Sequence, residues 1–397
     1  MFLSRPLKAR QPNTSRPTQT RRVRPSLESL EGRQLMSLGS EFFAPINTTT
    51  RNAQAESDNA SSANGTSVVV WKDAFSATDH DIRAQRLDAF GNKLGPEIVV
   101  SFSGLDEDSP AVAMDSHGGF VVTWRQIQQG GDTNVVARRF NSSGAPVGDV
   151  VQVGAGTFKE HDPDVAMDAA GNFVVAYVRD TNNNNPDVFA KRYNVNNQLL
   201  TVVSVATTPK AETNPSIAMA PDGRFDVAWE DAFSSTDRDI RLNRYGAAGN
   251  LLGSNTISFS SSDDSSPSVA MDNSANAVVA WQRAGGGGGD IKARRVSAPG
   301  FLGSEINIAS TEANERNFSV ALKRGGGGFV VAYDSSFLLV TSVKVAEVSA
   351  SDTVTTRDSG VRFTPAVSIN ASDDYLLTYT AAEGSDLNIR GRRGHLS

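Results

Sequence analysis

Two stretches of this chain repeat one another closely and hold the residues best suited to chemistry. Lys72-Asp-Ala-Phe-Ser-Ala-Thr-Asp-His-Asp81 is matched by Glu230-Asp-Ala-Phe-Ser-Ser-Thr-Asp-Arg-Asp239. Each contains an Asp-x-Asp pair, Asp79 with Asp81 and Asp237 with Asp239. Carboxylates beside hydroxyls are the ligands that hard cations such as calcium use. More acids recur a little further along, at Asp106-Glu-Asp108, at Glu160 and Asp162, and at Asp263-Asp264. No twelve-residue EF-hand loop or nonapeptide calcium repeat accompanies them. Asp79, Asp81, Asp237 and Asp239 are therefore the candidate metal residues, with calcium the metal they would suit. The plainer reading is a set of solvated polar loops, and nothing in the sequence calls for a cofactor.

Catalytic constellations do not emerge. The four histidines, His80, His117, His161 and His395, are scattered, the first three in predicted loops of different units. There is no His-Glu-x-x-His, no Gly-x-Ser-x-Gly and no phosphate-binding glycine loop. The glycine runs 285–289 and 325–328 lack a following Lys-Ser/Thr and read as loop tips, as does the Asn182–Asn185 run. A sialidase-like enzyme would show Asp-boxes of Ser-x-Asp-x-Gly-x-Thr-Trp form. Here Asp115, Gly119 and Trp124 are spaced too widely, and no Tyr/Glu nucleophile pair is identifiable. The expectation is a protein without catalytic residues.

The elements that must position these loops follow from a repeat. An aromatic residue ends the same apolar phrase at Trp71, Trp124, Tyr177, Trp229, Trp281, Tyr333 and Tyr379, in steps of 53, 53, 52, 52, 52 and 46 residues. A fixed period near fifty marks a repeat architecture. Each unit shows four strand signals separated by turn residues. The first is short, as in Ala111-Val-Ala-Met114. The second is nearly continuous in apolar residues, as from Phe120 to Trp124, which suits a strand covered on both faces. The third alternates, and the fourth is weaker. Asp and Gly join strands one and two. Gly91, Gly144, Asn197, Gly249 and Gly300 mark the turn between strands three and four, where Asn stands in because it tolerates positive φ.

The sequence 41–47 reads as a fourth strand with nothing before it, and Asn388–Arg393 as a third strand with nothing after it. Pairing the two would close a ring and leave no exposed edge, which a solenoid does not require. The expected fold is all-β: a seven-bladed β-propeller of four-stranded blades over 41–397, its C-terminal blade completed by strand 41–47. It resembles secreted bacterial propellers of ~50-residue repeats. Unit six, with Phe318 in place of Pro, and the opening strand of unit one, Asp58-Asn-Ala-Ser61, are poor copies. Arg86, Arg139, Arg192, Arg244, Arg295 and Arg393 recur in strand three, with Glu347 the exception. Their expected role is to bond carbonyls or a carboxylate between blades. Asp81, Asn134, Asp187, Asp239, Asp290 and Asn388 open the same strand as turn caps or arginine partners.

Residues 1–40 differ in kind. They carry eight basic residues against two acidic ones, leaving 30 basic and 42 acidic in 41–397, a net −12 for the body. The head has too little apolar surface to fold alone, and it lacks the apolar core of an ordinary secretory signal. Within it, Leu30-Glu31-Gly32-Arg33-Gln34-Leu35-Met36 resembles the Leu-Glu-Pro-Arg-x-Leu-Leu segment of many planctomycete surface and secreted proteins. Gly32 stands where that pattern has Pro, and Met36 replaces its last Leu. The resemblance implies export or surface sorting. No apolar run reaches the ~18 residues of a membrane span, and the acidic body argues against nucleic acid. The chain lacks cysteine, so no disulfide staples it. These features lead to the expectation of a monomeric, extracellular or cell-surface binding module. Its ligand, a glycan, a protein or a divalent ion, would sit on the face bearing the acidic loops. A structural envelope component and a polysaccharide-acting glycosidase or lyase are the alternatives.

Overall fold

The computed structural model describes residue 39 and residues 41–396 except 43–44, 49–52, 77–78, 182–184, 235, 286–287, 339 and 384–385. All belong to the compact unit Ser37–Ser397. The Leu30–Met36 motif and most of the basic head lie outside the described residues, as do Asn182–Asn184 of the asparagine run.

Among the described residues, 27 strands form seven antiparallel sheets spanning 54–99, 106–154, 160–206, 212–256, 264–309, 314–361 and 363–395. The fold is a seven-bladed propeller. In blade two the strands, from the axis outward, are Asp106–Met114, Phe120–Ile127, Thr133–Phe140 and Pro146–Gly154. Phe120 through Trp124 are all buried, which is why this strand reads as an unbroken apolar run. The recurring aromatics are core residues, Trp71, Trp124, Tyr177, Trp281 and Tyr379 being at most 2% exposed. Apolar clusters lie between neighbouring blades. Val121 and Val135 of blade two pack with Phe173 and Tyr177 of blade three, and Trp71 of blade one packs with Leu376 and Ile389 of blade seven. Blade seven thus meets blade one, also through Asn59 Nδ2 to Thr378 Oγ1 at 2.8 Å.

Two expectations need correction. The fourth strand of blade seven is not formed among the described residues, and its sheet has three strands. Residue 39 and residues 41–42 and 45–46 instead lie beside the third strand outside any named strand. Gly39, Phe42 and Ile46 donate their backbone N–H groups to Arg393, Gly391 and Ile389 at 2.7, 3.1 and 2.8 Å, with one isolated bridge between Glu41 and Arg392. Pro45 has no N–H to continue a ladder. Gly391 accommodates this segment: a Cβ there would lie 2.8 Å from Phe42 and 3.1 Å from Ile46.

The second correction concerns strand one. It is longer than expected and runs through its proline, from Asp106 in blade two and Glu160 in blade three. A bulge makes this workable. Glu56, Ser109, Asp162, Asn214, Ser266, Asn317 and Thr364 have φ between 46° and 53°, one per blade at the same place. The ladder slips there, for instance between Asp108 and Ala111. The poor copies still fold: Gln54–Ser61 opens blade one, and blade six has four strands. Asn197, with φ 61°, takes the turn geometry that glycine takes in its sister blades.

Candidate functional site

Antiparallel up-and-down strands put the hairpins between strands two and three on one face, together with the links between blades. The twin hairpins therefore share a face, on blades one and four. Their aromatic residues point outward: Phe75 and Phe233 are 64% and 50% exposed, and Phe102 and Phe259, on the links that follow, are 74% and 86% exposed. Phe337 and Leu338 of blade six are also exposed here.

The four candidate metal residues do not behave alike. Asp79 and Asp237 sit half-buried in the hairpins, whereas Asp81 and Asp239 are 1% and 2% exposed. Asp81 faces Asp73 across the hairpin, and Arg83 stands 3.3 Å from Asp73, 3.6 Å from Asp81 and 3.6 Å from Glu97. Burial pushes Asp81 up to about 6 against the pull of Arg83. Burial also raises Asp239, although the backbone N–H of Ser260 bonds to it. The openers of strand three therefore tie it to the link leaving strand four, as Ser310 Oγ does with Asp290 at 2.8 Å. Asp239 binds the turn that follows strand four, and both Asp81 and Asp239 are buried rather than solvated loop groups. Among the described residues no three His, Asp or Glu side chains stand gathered as a ready-made metal cage.

Strand one carries a ring of buried acids, of which the sequence reading placed Glu107, Glu160 and Asp264 in loops and passed over Glu212 and Glu315. Glu107, Glu160, Glu212, Asp264 and Glu315 are at most 3% exposed. Most are capped by a hydroxyl four residues earlier: Ser103 bonds Glu107, Thr208 bonds Glu212, Ser260 bonds Asp264 at 3.1 Å and Thr311 bonds Glu315 at 2.5 Å. The signal was a repeated Ser/Thr-x-x-x-Glu/Asp. It closes the turn into each blade, and burial raises Glu107, Glu212 and Glu315, and Glu160 to about 7.

The central channel opens on this face into a cavity of ≈ 650 Å³, lined by six of the seven positive-φ positions or their neighbours and by Asp58, Asp164, Gln282 and Arg316. Asp58 Oδ2 accepts the N–H of Val112 at 2.9 Å, and Asp164 Oδ2 that of Ile217 at 2.8 Å. Ser216, Ser268 and Ser319 accept the next blade's N–H at 3.2–3.3 Å. Burial lifts Asp58 to about 7 and Asp164 to about 6, the mutual repulsion adding to Asp58. Arg316 also lines the mouth and lies opposite Asp334 in its ladder, where its charge pulls that acid's pKa down against the effect of burial.

His161 has its Nδ1 2.9 Å from Asp162, which lines that mouth, and its Nε2 3.3 Å from Asp180. Burial opposes its charge, but the two carboxylates together raise it. His80 Nδ1 lies 2.6 Å from Asp106. Both histidines are on strands, not in the loops expected of them.

The opposite face holds the arginine row, and its role is structural, as expected. Arg86 reaches Ser143 O at 2.8 Å, Arg139 reaches Gly171 O at 2.6 Å, Arg295 reaches Gly327 O at 2.5 Å and Arg393 reaches Asp88 O at 2.8 Å. In each case the carbonyl belongs to the next blade.

No protein-family model matches the chain, and no curated protein does. Solved structures do. A polysaccharide lyase of the PL25 ulvan lyase family is 10% identical, with a TM-score of 0.56, over 92% of this chain and 96% of that one. A protein of unknown function from Dyadobacter fermentans is 12% identical, with a TM-score of 0.51, over 74% of this chain and 95% of that one. A prolyl endopeptidase is 10% identical, with a TM-score of 0.51, over 86% of this chain, which spans about half (47%) of that one. At such identities the likeness is one of fold alone.

Proposed function

We propose that this chain is a non-catalytic binding module working outside the cell or on its surface, as the resemblance of residues 30–36 to a planctomycete sorting segment implies. Its ligand, a glycan or a surface protein, docks on the face that carries the twin hairpins. The observation that supports this is the set of four exposed rings on hairpins and links of one face, Phe75 and Phe102 beside blade one and Phe233 and Phe259 beside blade four. Exposed aromatic rings bordered by polar groups are what recognition surfaces present. A neutral, hydroxyl-rich glycan suits the mixture best. The rings take its CH faces, and the surrounding carboxylates accept its hydroxyls while repelling an acidic polymer.

Electrophoresis of the full chain through gels containing neutral polysaccharides tests this. Retardation is expected, weakened by Phe102→Ser and Phe259→Ser and unchanged by Phe90→Ser and Phe301→Ser on the opposite face. Retardation that ignores the first pair, or no retardation by any glycan or surface protein, removes the reading. A polysaccharide-acting enzyme is favoured by one observation, His161 held between the carboxylates of Asp162 and Asp180. It requires turnover that His161→Gln abolishes. A purely structural envelope role requires no saturable ligand.

A further inference from the structure

The junction between blades three and four holds a cleft of ≈ 560 Å³. One wall is a face of blade four built of two cross-strand rows, Trp229 with Arg241 and Thr256, and Val227 with Asn243 and Ser254. All of these but Val227 line the cleft. The other wall is Val205 and Ala206, at the end of blade three's fourth strand, and the link 207–210 that follows. Trp229 shares an apolar cluster with Val203, Val205 and Ala206. It is nevertheless 7% exposed, where Trp71, Trp124 and Trp281 are at most 1%.

Sister blades put larger groups here. Asn243 stands opposite the apolar residue two before the aromatic, and at that place four other blades carry Arg138, Lys191, Arg294 and Arg392. Arg138 and Lys191 bond the carbonyls of Val100 and Val153 on the preceding blade. Asn243 Nδ2 makes the matching bond to Val205 O at 3.0 Å with a much shorter side chain. Gln85 of blade one bonds Gly95 O within its own blade. Ala346 of blade six is smaller still, but it packs with Ile306 and Ile308, where the junction of blades three and four has Val203 and Val205.

The charges lining the cleft, Lys210, Arg241, Glu212 and Asp231, satisfy groups of the protein itself. Arg241 bonds Asp231 at 3.1 Å and Thr256 Oγ1 at 2.7 Å, and Thr208 donates to Glu212. Lys210 Nζ stands 3.4 Å from Asp231 and 3.2 Å from the ring centre of Phe233. Two cations thus face two acids, and the cleft has no net charge. It offers an apolar floor, the exposed hydroxyls of Thr207 and Ser254, and Asn243 Oδ1, which no donor among the described residues reaches. Apolar and aromatic surface with a few polar groups is the make-up of small-ligand sites, and the volume falls within the ~300–1,000 Å³ that they span.

We propose that this cleft binds one short neutral saccharide per chain, the CH face of a sugar ring against Trp229 and its hydroxyls on Asn243 Oδ1, Ser254 and Thr207. The inference rests on the glycan reading above and gives that glycan a seat beside exposed Phe233. A neutral sugar suits it better than an acidic one, which would have to draw Lys210 or Arg241 away from Asp231.

Calorimetric titration of the full chain with lactose, maltose, cellobiose and glucuronate tests this, run beside the polysaccharide gels. Saturable binding of a neutral disaccharide, one per chain, is expected, with a shift in tryptophan emission and no binding of glucuronate. Asn243→Arg, which restores the arrangement of Arg138 in blade two, should weaken that binding about tenfold or more. Should Asn243→Arg fail to fold, Ser254→Arg, an exposed change on the same face of the sheet, should have the same effect. Phe301→Ser on the opposite face leaves binding unchanged. Disaccharide binding that ignores both arginine variants, a preference for glucuronate, or polysaccharide retardation without binding of any disaccharide overturns the cleft site and leaves the aromatic surface standing. The absence of both heat and retardation removes the two together.

Discussion

The hydroxyl of Tyr375 in blade seven donates to Glu347 Oε1 of blade six at 3.0 Å. Glu347 is the one member of the strand-three row that is not arginine, and here the bridge between blades runs in reverse, the neighbour donating and the row residue accepting. Tyr375 is 1% exposed and Glu347 7%. Arg357 also reaches Glu347, at 3.3 Å, so Tyr375→Phe leaves a buried carboxylate short of one donor. It should lower stability by about 1–3 kcal/mol, measured by urea unfolding; no change would mean that Arg357 alone satisfies the acid.

Arginines of the same row should differ widely in worth. Arg244 bonds Ser297 O, Ala298 O at 3.0 Å and Ala275 O at 2.5 Å, and it pairs with Asp226 at 3.1 Å. Both side chains are nearly buried, and Asp226 is already raised to about 6 by burial. Arg244→Ala strands that acid and three carbonyls, and should cost about 3–5 kcal/mol. Arg192 makes no bond to the next blade among the described residues, and Arg192→Ala should fall within about 0.5 kcal/mol of the parent. Equal losses in urea unfolding would refute the distinction.

Stability should decline as pH rises through the neutral range. Asp58 titrates near about 7 and Asp164 near about 6 in the fold, against ~3.9 in an unfolded chain. Between about pH 4 and pH 7 the folded state holds more protons than the unfolded one, so the stabilisation present below the unfolded value fades through that window. Asp58→Asn keeps an acceptor for Val112 N–H and removes the charge. It should be more stable than the parent at pH 8 and equal to it near pH 4. A variant weaker than the parent at pH 8 would mean that the channel solvates Asp58 fully.

The seam between blades seven and one depends on residues before the first blade. Ile46 is 1% exposed among Trp71, Leu376 and Ile389. Ile46→Ala should cost about 2–5 kcal/mol, and Gly391→Ala about 1–3 kcal/mol through contact with Phe42. Thermal melts check both, and a neutral Gly391→Ala would show that Phe42 does not hold its place.

Most of the architecture was legible because one physical requirement repeats. A strand covered on both faces must be apolar throughout, so the row from Trp71 to Tyr379 marks every blade. Glycine or Asn197 marks the outer turn of the first five blades, and Asp352 takes that place in blade six. The inner strands were read too short because proline stops a regular ladder. A left-handed residue just before it in five blades, such as Ser109 before Pro110, and at the same place in the other two lets the strand bend and go on. That error carried the buried Glu107, Glu160 and Asp264 into loops. Of the metal candidates, sequence located the hairpins but could not separate half-buried Asp79 from Asp239, which is 2% exposed and takes the backbone N–H of Ser260 from a link distant in sequence.

The bonds at Gly39, Phe42 and Ile46 are arranged in antiparallel order against 393, 391 and 389. A pull between the leading segment and the chain's end therefore loads them one after another, as a zip, rather than together in shear. Under tension the ring would yield first at this seam and at low force, while the other six blade junctions, each bridged by continuous chain, stayed shut. A single-molecule extension trace would show an early, small step of a few residues ahead of any blade.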